Sequence, residues 1–211
     1  MGQILKFPAP ASKFGYKRVR KRAELAEHPG QLPLFPLPTA QILDFTPQSG
    51  WFEQALVWDE RGDPRAAELY RKAIAQGDCV ADAFCNLGII ESQKGNTAKA
   101  FDCFTTSLKH DPRHTEAHFN LANLYFDVDD LRLAQVHYEI AGEVDPAFAN
   151  VFFNLALVLA LGQNLAGSIN ALVRYKQLVS EDEARHADEL LLSLRKSLAA
   201  PGKRPKDFPG I

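Results

Sequence analysis

Three histidines of this 211-residue chain have a spacing that could bind a metal ion. His110, His114 and His118 are each four residues apart, so on one continuous helix they would share a face and could ligate zinc. Asp111-Pro112 prevents such a helix, because proline lacks an amide hydrogen and disfavours helical backbone at the residue before it. We therefore expect no metal site, and we assign His118 to packing.

The cysteines do not form a recognisable site either. Cys79, Cys85 and Cys103 are separated by six and eighteen residues, and no Cys-x-x-Cys pair occurs. An odd number of cysteines without such a pair argues against a disulfide framework and against zinc. We expect buried thiols in a reducing compartment, which places the protein in the cytoplasm.

Several function classes are excluded by the sequence pattern. The chain shows no glycine-rich phosphate loop, no nucleophile elbow and no pair of catalytic carboxylates, so we predict neither an enzyme nor a cofactor. No run of 18 apolar residues is present, so we expect no membrane-spanning helix. The formal net charge of −2 and the 46% hydrophobic content are typical of a folded water-soluble protein.

A basic cluster lies near the N-terminus. Five of its six consecutive residues are bases, namely Lys17, Arg18, Arg20, Lys21 and Arg22. Such a cluster could attract the phosphates of nucleic acid or of an anionic lipid surface. Because residues 39–199 are acidic, docking of this arm onto the body of the same or another chain is an equal alternative. Without a folded reader beside the cluster, we do not expect nucleic-acid binding to be the main function.

The body of the chain repeats itself with a period of 34 residues. Residues 81–114 align with residues 115–148 without a gap. The aligned pairs include Asn86-Leu87-Gly88 with Asn120-Leu121-Ala122, Ala100 with Ala134, Phe104 with Tyr138, and Asp111-Pro112 with Asp145-Pro146. A third copy starts at Ala149, and a fourth, which contains Trp51, Trp58 and Tyr70, precedes the pair. Small residues at fixed places would let two helices approach closely in each copy.

This pattern resembles the tetratricopeptide repeat, a helix–turn–helix unit, over about residues 49–182. The resemblance implies an all-α, right-handed α-solenoid. It divides the chain into a proline-rich basic arm that we expect to be mostly disordered (1–48), four repeats (49–80, 81–114, 115–148 and 149–182), a capping helix (183–199) and a flexible tail (200–211).

In this family the first helices of the repeats line a concave groove that binds a peptide or helix. The positions that the resemblance assigns to the groove carry apolar, aromatic and asparagine side chains: Phe52, Leu56, Asn86, Ile89, Phe119, Asn120, Asn123, Phe126, Phe153, Asn154 and Leu157. The row formed by Asn86, Asn120 and Asn154 could hydrogen-bond a peptide backbone or could only support packing.

The charges around the groove indicate the type of partner. Family members that clamp the terminal carboxylate of heat-shock chaperones use Lys and Arg at these positions, and this chain has none there, so we exclude that function. Acidic residues stand at the margins: Asp59, Glu60, Asp82, Glu116 and Asp127. The surface therefore suits an apolar or amphipathic segment with basic flanks. Burial of the groove by the chain's own arm or by self-association is the competing interpretation.

A short peptide in the arm suggests a different function. Gln31-Leu32-Pro33-Leu34-Phe35 resembles the QLxLF segment with which bacterial replication and repair proteins bind the sliding clamp. Gln31 would hydrogen-bond, while Leu34 and Phe35 would fill an apolar pocket. The alternative is a fold-back of this segment over the open face of the first repeat, through Leu32, Leu34, Phe35 and Leu37.

The sequence thus predicts a non-catalytic, cytoplasmic protein-interaction module that binds an apolar or amphipathic segment, in some partners a basic one, in its concave groove. The alternative is an adaptor that acts through its N-terminal arm. That arm would bind a sliding clamp through Gln31, Leu32, Leu34 and Phe35, or nucleic acid or an anionic surface through the basic cluster.

Overall fold

The computed structural model describes residues 16–20 and 50–199. Residues 50–199 form α-helices joined by short turns: α1 (Trp51–Glu60), α2 (Ala66–Ala75), α3 (Val80–Gln93), α4 (Thr97–His110), α5 (Thr115–Asp127), α6 (Leu131–Val144), α7 (Ala149–Leu161), α8 (Leu165–Lys176) and α9 (Glu181–Ala199). Each helix packs mainly against the next one along the chain, and the tightest packing is within the pairs α1–α2, α3–α4, α5–α6 and α7–α8. The predicted all-α solenoid is confirmed.

One turn position has the same left-handed backbone conformation in every helix pair. Gly62, Gly95, Asp129 and Gln163 follow the first helix of their pairs, with left-handed φ angles of 68°, 76°, 62° and 64°. Glycine adopts this backbone conformation without steric cost and ends many helices. The left-handed conformation recurs every 33 or 34 residues, whether or not the residue is glycine, so the backbone shows the same repeat as the sequence.

Small residues allow the two helices of a pair to approach closely. Ala100, Ala122 and Ala134 are fully buried. A Cβ atom added to Gly88 would lie 2.7 Å from a ring carbon of Phe104 on the partner helix, closer than carbon atoms normally approach. The small side chains of the repeat are therefore required by helix spacing.

The helix break predicted at Asp111-Pro112 is present. Helix α4 ends at His110 and α5 begins at Thr115. His114 is the N-cap residue of α5, and its Nδ1 accepts a hydrogen bond from the backbone N–H of Ala117 at 3.1 Å. The three evenly spaced histidines therefore lie on different elements, and within residues 16–20 and 50–199 no cluster of metal-ligating side chains occurs.

The prediction of buried thiols is right for Cys85 and wrong for Cys79. Cys79 is exposed and occupies the N-cap position of α3, in a left-handed conformation with φ of 47°. Cys103 is partly buried. Burial raises the pKa of the Cys85 thiol and raises that of Cys103 to about 11, so both are protonated at neutral pH.

The last helix covers the end of the array. Ala187, Leu190, Leu191 and Leu194 of α9 are buried in the same cluster as Leu172 of α8. In the described part of the chain, no helix combines the length and the apolar character that crossing a membrane requires.

Candidate functional site: the concave groove

The groove is occupied by a segment of the same chain. Residues 16–20, which we call the resident segment, contact side chains of α1, α3 and α5. These five residues are ordered within an arm that we expected to be mostly disordered, and that expectation for the arm stays a prediction. Their contact with the helices agrees with the alternative in which the basic arm docks onto the acidic body.

Asn86 of α3 binds both backbone groups of a single residue in the resident segment. Its Oδ1 accepts the N–H of Val19 at 2.8 Å, and its Nδ2 donates to the carbonyl of Val19 at 3.0 Å. Asn86 is fully buried, and its Nδ2 also donates to the hydroxyl of Tyr70 at 3.1 Å. The amide group therefore pairs with the segment as a neighbouring strand would.

Asn120 of α5 makes the same pair of bonds one repeat later. Its Oδ1 accepts the N–H of Lys17 at 2.7 Å, and its Nδ2 donates to the carbonyl of Lys17 at 2.9 Å. Lys17 and Val19 are two residues apart, which is the spacing at which successive residues of an extended strand face the same side. Asn86 and Asn120 thus hold alternate residues of the segment by their backbone and not by their side chains.

The side chain of Val19 fills a closed apolar pocket. Its exposed fraction is 1%. The pocket belongs to a buried cluster formed by Cys85, Ile89, Ala100, Phe104, Ala117, Leu121 and Leu124. A valine buried at this depth makes a favourable contribution of about 1.5–3 kcal/mol relative to an exposed one.

Arg18 forms an ion pair with a buried carboxylate. Its Nε lies 2.8 Å from Oδ2 of Asp59, in the last turn of α1. Asp59 is 5% exposed, and its Oδ2 also accepts a hydrogen bond from the hydroxyl of Tyr70 at 3.1 Å. Burial, together with the nearby Asp59 carboxylate, raises the pKa of Tyr70, so the phenol is protonated and donates to Asp59.

Tyr16, the first residue of the resident segment, packs against an aromatic ring of the repeats. Its ring stacks on Phe104 with a centroid distance of 6.0 Å. The hydroxyl of Tyr16 accepts a hydrogen bond from Ser92 at 2.5 Å and points toward Asp127, 3.4 Å away. Burial raises the pKa of Tyr16 and also that of Asp127. The Lys17 ammonium lies 5.3 Å from the centroid of the Phe148 ring, a cation–π contact at the surface.

A second polar network lies further along the array. Tyr138 donates a short hydrogen bond to Oδ1 of Asn123. Asn154 donates to the same oxygen at 3.1 Å and to the Tyr138 hydroxyl at 3.3 Å. Burial raises the pKa of Tyr138, and all three residues are buried. Asn123 and Asn154, which the resemblance assigned to the groove, are thus bonded to each other, and both are buried.

The predicted groove aromatics pack within the repeats. Phe52, Phe119 and Phe153 are 1%, 1% and 3% exposed. Each ring packs against a tyrosine of the second helix of its own repeat: Tyr70, Tyr138 and Tyr175, respectively. Leu56, Phe126 and Leu157 are partly buried, and Ile89 lines the Val19 pocket. Partner contact through the phenylalanines and these aliphatic residues stays a prediction.

Some of the predicted arm residues lie outside the described part of the chain. These are Lys21 and Arg22 of the basic cluster and the clamp-like peptide with Gln31, Leu32, Leu34 and Phe35. Among the described bases, Lys17 and Arg18 contact the groove, and Arg20 is exposed.

Sequence reasoning missed the residues that complete the site. The hydroxyl of Tyr70 joins Asp59 to Asn86, although the repeat pattern identifies position 70 only as an aromatic core position. The hydroxyl group itself was the available signal, because a buried phenol requires a hydrogen-bond partner. Ser92 and Phe148 were missed because the partner they contact is the arm, whose register on the repeats is not encoded in any periodicity.

No model of a known protein family matches the sequence, and no curated protein matches it. Solved structures match in fold. The first TPR of Spaghetti (RPAP3), solved with the HSP90 peptide SRMEEVD, is 20% identical with a TM-score of 0.52 over 57% of this chain and 94% of that chain. YrrB, described as a TPR protein with an unusual peptide-binding site, is 16% identical with a TM-score of 0.59 over 70% of this chain and 76% of that chain. A tetratricopeptide repeat protein from Parabacteroides merdae is 18% identical with a TM-score of 0.60 over 70% of this chain and 59% of that chain.

At these identities the likeness defines the fold. The chain has the fold of a tetratricopeptide-repeat array, as the sequence pattern predicted. One of these similar structures contains a bound HSP90 peptide, and another is described as having an unusual peptide-binding site.

Proposed function

We propose that the protein is a non-catalytic interaction module that binds an extended, basic and partly apolar segment of a partner protein along its concave groove. The observation that carries the proposal is the paired backbone bonding of Val19 by Asn86 and of Lys17 by Asn120. Four hydrogen bonds to the backbone of one short segment form a binding site for an extended polypeptide, whichever chain supplies that polypeptide.

The resident segment serves in this proposal as a built-in example of the ligand. It combines backbone pairing with one buried aliphatic side chain, one ion pair and one stacked ring. A partner segment with the same features would compete for the same bonds and would therefore displace residues 16–20. The predicted cytoplasmic location belongs to this proposal. An adaptor that acts through its N-terminal arm, with the clamp-like peptide at residues 31–35, is the independent alternative.

The test uses the full chain with residues 16–20 replaced by Gly and Ser, which we call the emptied chain. A fluorescein-labelled peptide with the sequence of residues 13–23 is titrated with the emptied chain, and binding is followed by fluorescence anisotropy. We expect saturable binding, which the double variant Asn86→Ala/Asn120→Ala weakens by about 30-fold or more because four hydrogen bonds are lost.

Asn170→Ala is the matched control, because Asn170 is exposed on α8 and away from the groove. This control should bind the peptide as the emptied chain does. Equal affinity of the double asparagine variant and the control would overturn the proposal, as would absence of binding to an emptied chain whose helical circular dichroism spectrum is intact.

A further inference from the structure

The ion pair between Arg18 and Asp59 has a feature that the backbone pairing does not explain. Asp59 is a carboxylate with an exposed fraction of only 5%, and it lies at the C-terminal end of α1, where the helix dipole disfavours negative charge. A buried carboxylate requires a cation or several donors to compensate for lost hydration. Among the described residues, the cation in contact with Asp59 comes from the resident segment.

We infer, on the basis of the proposed function, that Asp59 and the Val19 pocket select partner segments in which an arginine is followed directly by a small aliphatic residue. The Asp59 carboxylate and the Val19 pocket, which we call the two readers, are joined by hydrogen bonds. The Tyr70 hydroxyl donates to Asp59 and accepts from Asn86, and Asn86 holds the backbone of Val19. A segment that places its residue correctly in one reader is therefore in register for the other.

The geometry favours arginine over lysine at the first position. The nitrogen that approaches Asp59 at 2.8 Å is Nε, which directly follows Cδ and is the fourth side-chain atom. Lysine has a methylene group at that position and carries its charge one atom further out, so it would bring an apolar carbon against the buried carboxylate. The Arg18 side chain is 36% exposed, so the groove does not enclose all of it.

The pocket favours valine over larger or charged residues at the second position. Val19 is 1% exposed among tightly packed neighbours such as Ile89 and Leu124. A phenylalanine would overpack this space, and a charged side chain would be buried without a partner. Lys17 and Arg20 are exposed, so their positions tolerate substitution.

The experiment measures the affinity of variant peptides of residues 13–23 for the emptied chain at high salt, where unspecific attraction to the acidic body is screened. We expect Arg18→Lys, Arg18→Ala and Val19→Phe in the peptide each to weaken binding about tenfold or more. Arg20→Ala removes the same charge as Arg18→Ala and is the matched control, with an expected loss below about threefold.

The reciprocal variant is Asp59→Asn in the emptied chain. It should reduce the preference for arginine over lysine to below about threefold, because the buried charge that distinguishes the two cations is gone. Equal losses for Arg18→Ala and Arg20→Ala, or an arginine preference that survives Asp59→Asn, would overturn the inference while leaving the proposed function intact. Absence of binding by the unmodified peptide would instead overturn the proposed function.

A second measurement covers the case in which the emptied chain does not fold. In the intact chain, Arg18→Lys should lower the Tm by about 2–4 °C, whereas Arg20→Lys should leave it unchanged. The same Tm for both variants would overturn the inference.

Discussion

Two buried networks in this molecule are built in a similar way and differ in the residue that accepts a hydrogen bond from the tyrosine. Asp59 stands eleven residues before Tyr70, and Asn123 stands fifteen residues before Tyr138. In the first, Tyr70 bonds to Asn86, sixteen residues later, and donates to Asp59. In the second, Tyr138 bonds to Asn154, again sixteen residues later, and donates to Asn123. The acceptor is a carboxylate in the first network and a neutral amide in the second.

This difference decides whether a network requires a compensating charge from another segment. The neutral network of Asn123, Tyr138 and Asn154 can be buried without an added charge. The network around Asp59 carries a net negative charge, and the structure supplies Arg18 to it. A carboxylate acceptor therefore gives the first network a requirement for a cation that the amide acceptor of the second network does not have.

The largest effect is expected when the second network is given the carboxylate of the first. Asn123→Asp places a charge at a site that is 3% exposed. We expect the free energy of unfolding to fall by about 2–4 kcal/mol at neutral pH, measured by urea denaturation. Because burial raises the pKa of the new carboxyl, the loss should be smaller near pH 4. A loss that does not depend on pH would show that shape, and not charge, distinguishes the networks.

Helix spacing around the second network gives the next effect. Ala122 and Ala134 are fully buried where α5 meets α6, so a larger side chain has no room. Ala122→Leu or Ala134→Leu should destabilise the protein by about 1–3 kcal/mol in thermal or urea unfolding. An unchanged Tm in either variant would contradict the register of the repeats.

Removing the charge from the first network should have an effect that depends on Arg18. In the intact chain, Asp59→Asn should cost about 1–2 kcal/mol through the lost ion pair. In a chain that already carries Arg18→Gln, the same change should be neutral or stabilising, because the uncompensated carboxylate disappears. Additive effects in this double-mutant cycle, measured by urea unfolding, would contradict the pairing of Asp59 with Arg18.

The smallest expected effect is the pH dependence of the α5–α6 pair. The Nδ1 atoms of His118 and His137 lie 2.9 Å apart, and His137 stacks on Tyr125. Burial lowers the pKa of His137 to about 4 and lowers that of His118 as well. The unfolded chain therefore binds more protons between pH 6.5 and pH 4, and stability falls as the pH falls through that window.

Partial solvent exposure limits this loss to about 1 kcal/mol, or about 2–4 °C in Tm. The variant His137→Phe should remove most of the pH dependence. His186→Gln, at an exposed site on α9, should leave it unchanged. Identical pH profiles for both variants would contradict the role of the histidine pair.

The fold was predictable because the repeat encodes it in local terms. The small residues Gly88, Ala100, Ala122 and Ala134 mark close helix contacts, and Pro112 and Pro146 mark helix ends. For the asparagine row, the sequence left peptide bonding and packing open, and in the structure Asn86 and Asn120 bond the backbone of the resident segment. Asp59, one of the predicted acidic margin residues, pairs with Arg18 of that segment.

The remaining features of the site could not be predicted, because they depend on contacts between distant parts of the chain. Val19 meets Asn86 across 67 residues, and Lys17 meets Asn120 across 103 residues. No periodicity connects the arm to the repeats, so composition indicated a disordered arm. The burial of Phe119 and Phe153 was also missed, since family positions do not show how far a ring penetrates the core.

The central claim is that Asn86 and Asn120 hold alternate residues of an extended segment by their backbone. Hydrogen exchange of the backbone amides in the intact chain, resolved by NMR, tests it most directly. The amides of Lys17 and Val19 donate to the two asparagines, so we expect them to exchange at least about tenfold more slowly than unstructured amides. Asn120→Ala should abolish the protection at Lys17, and Asn86→Ala that at Val19. Exchange of both amides at unstructured rates in the unmodified chain would contradict the account.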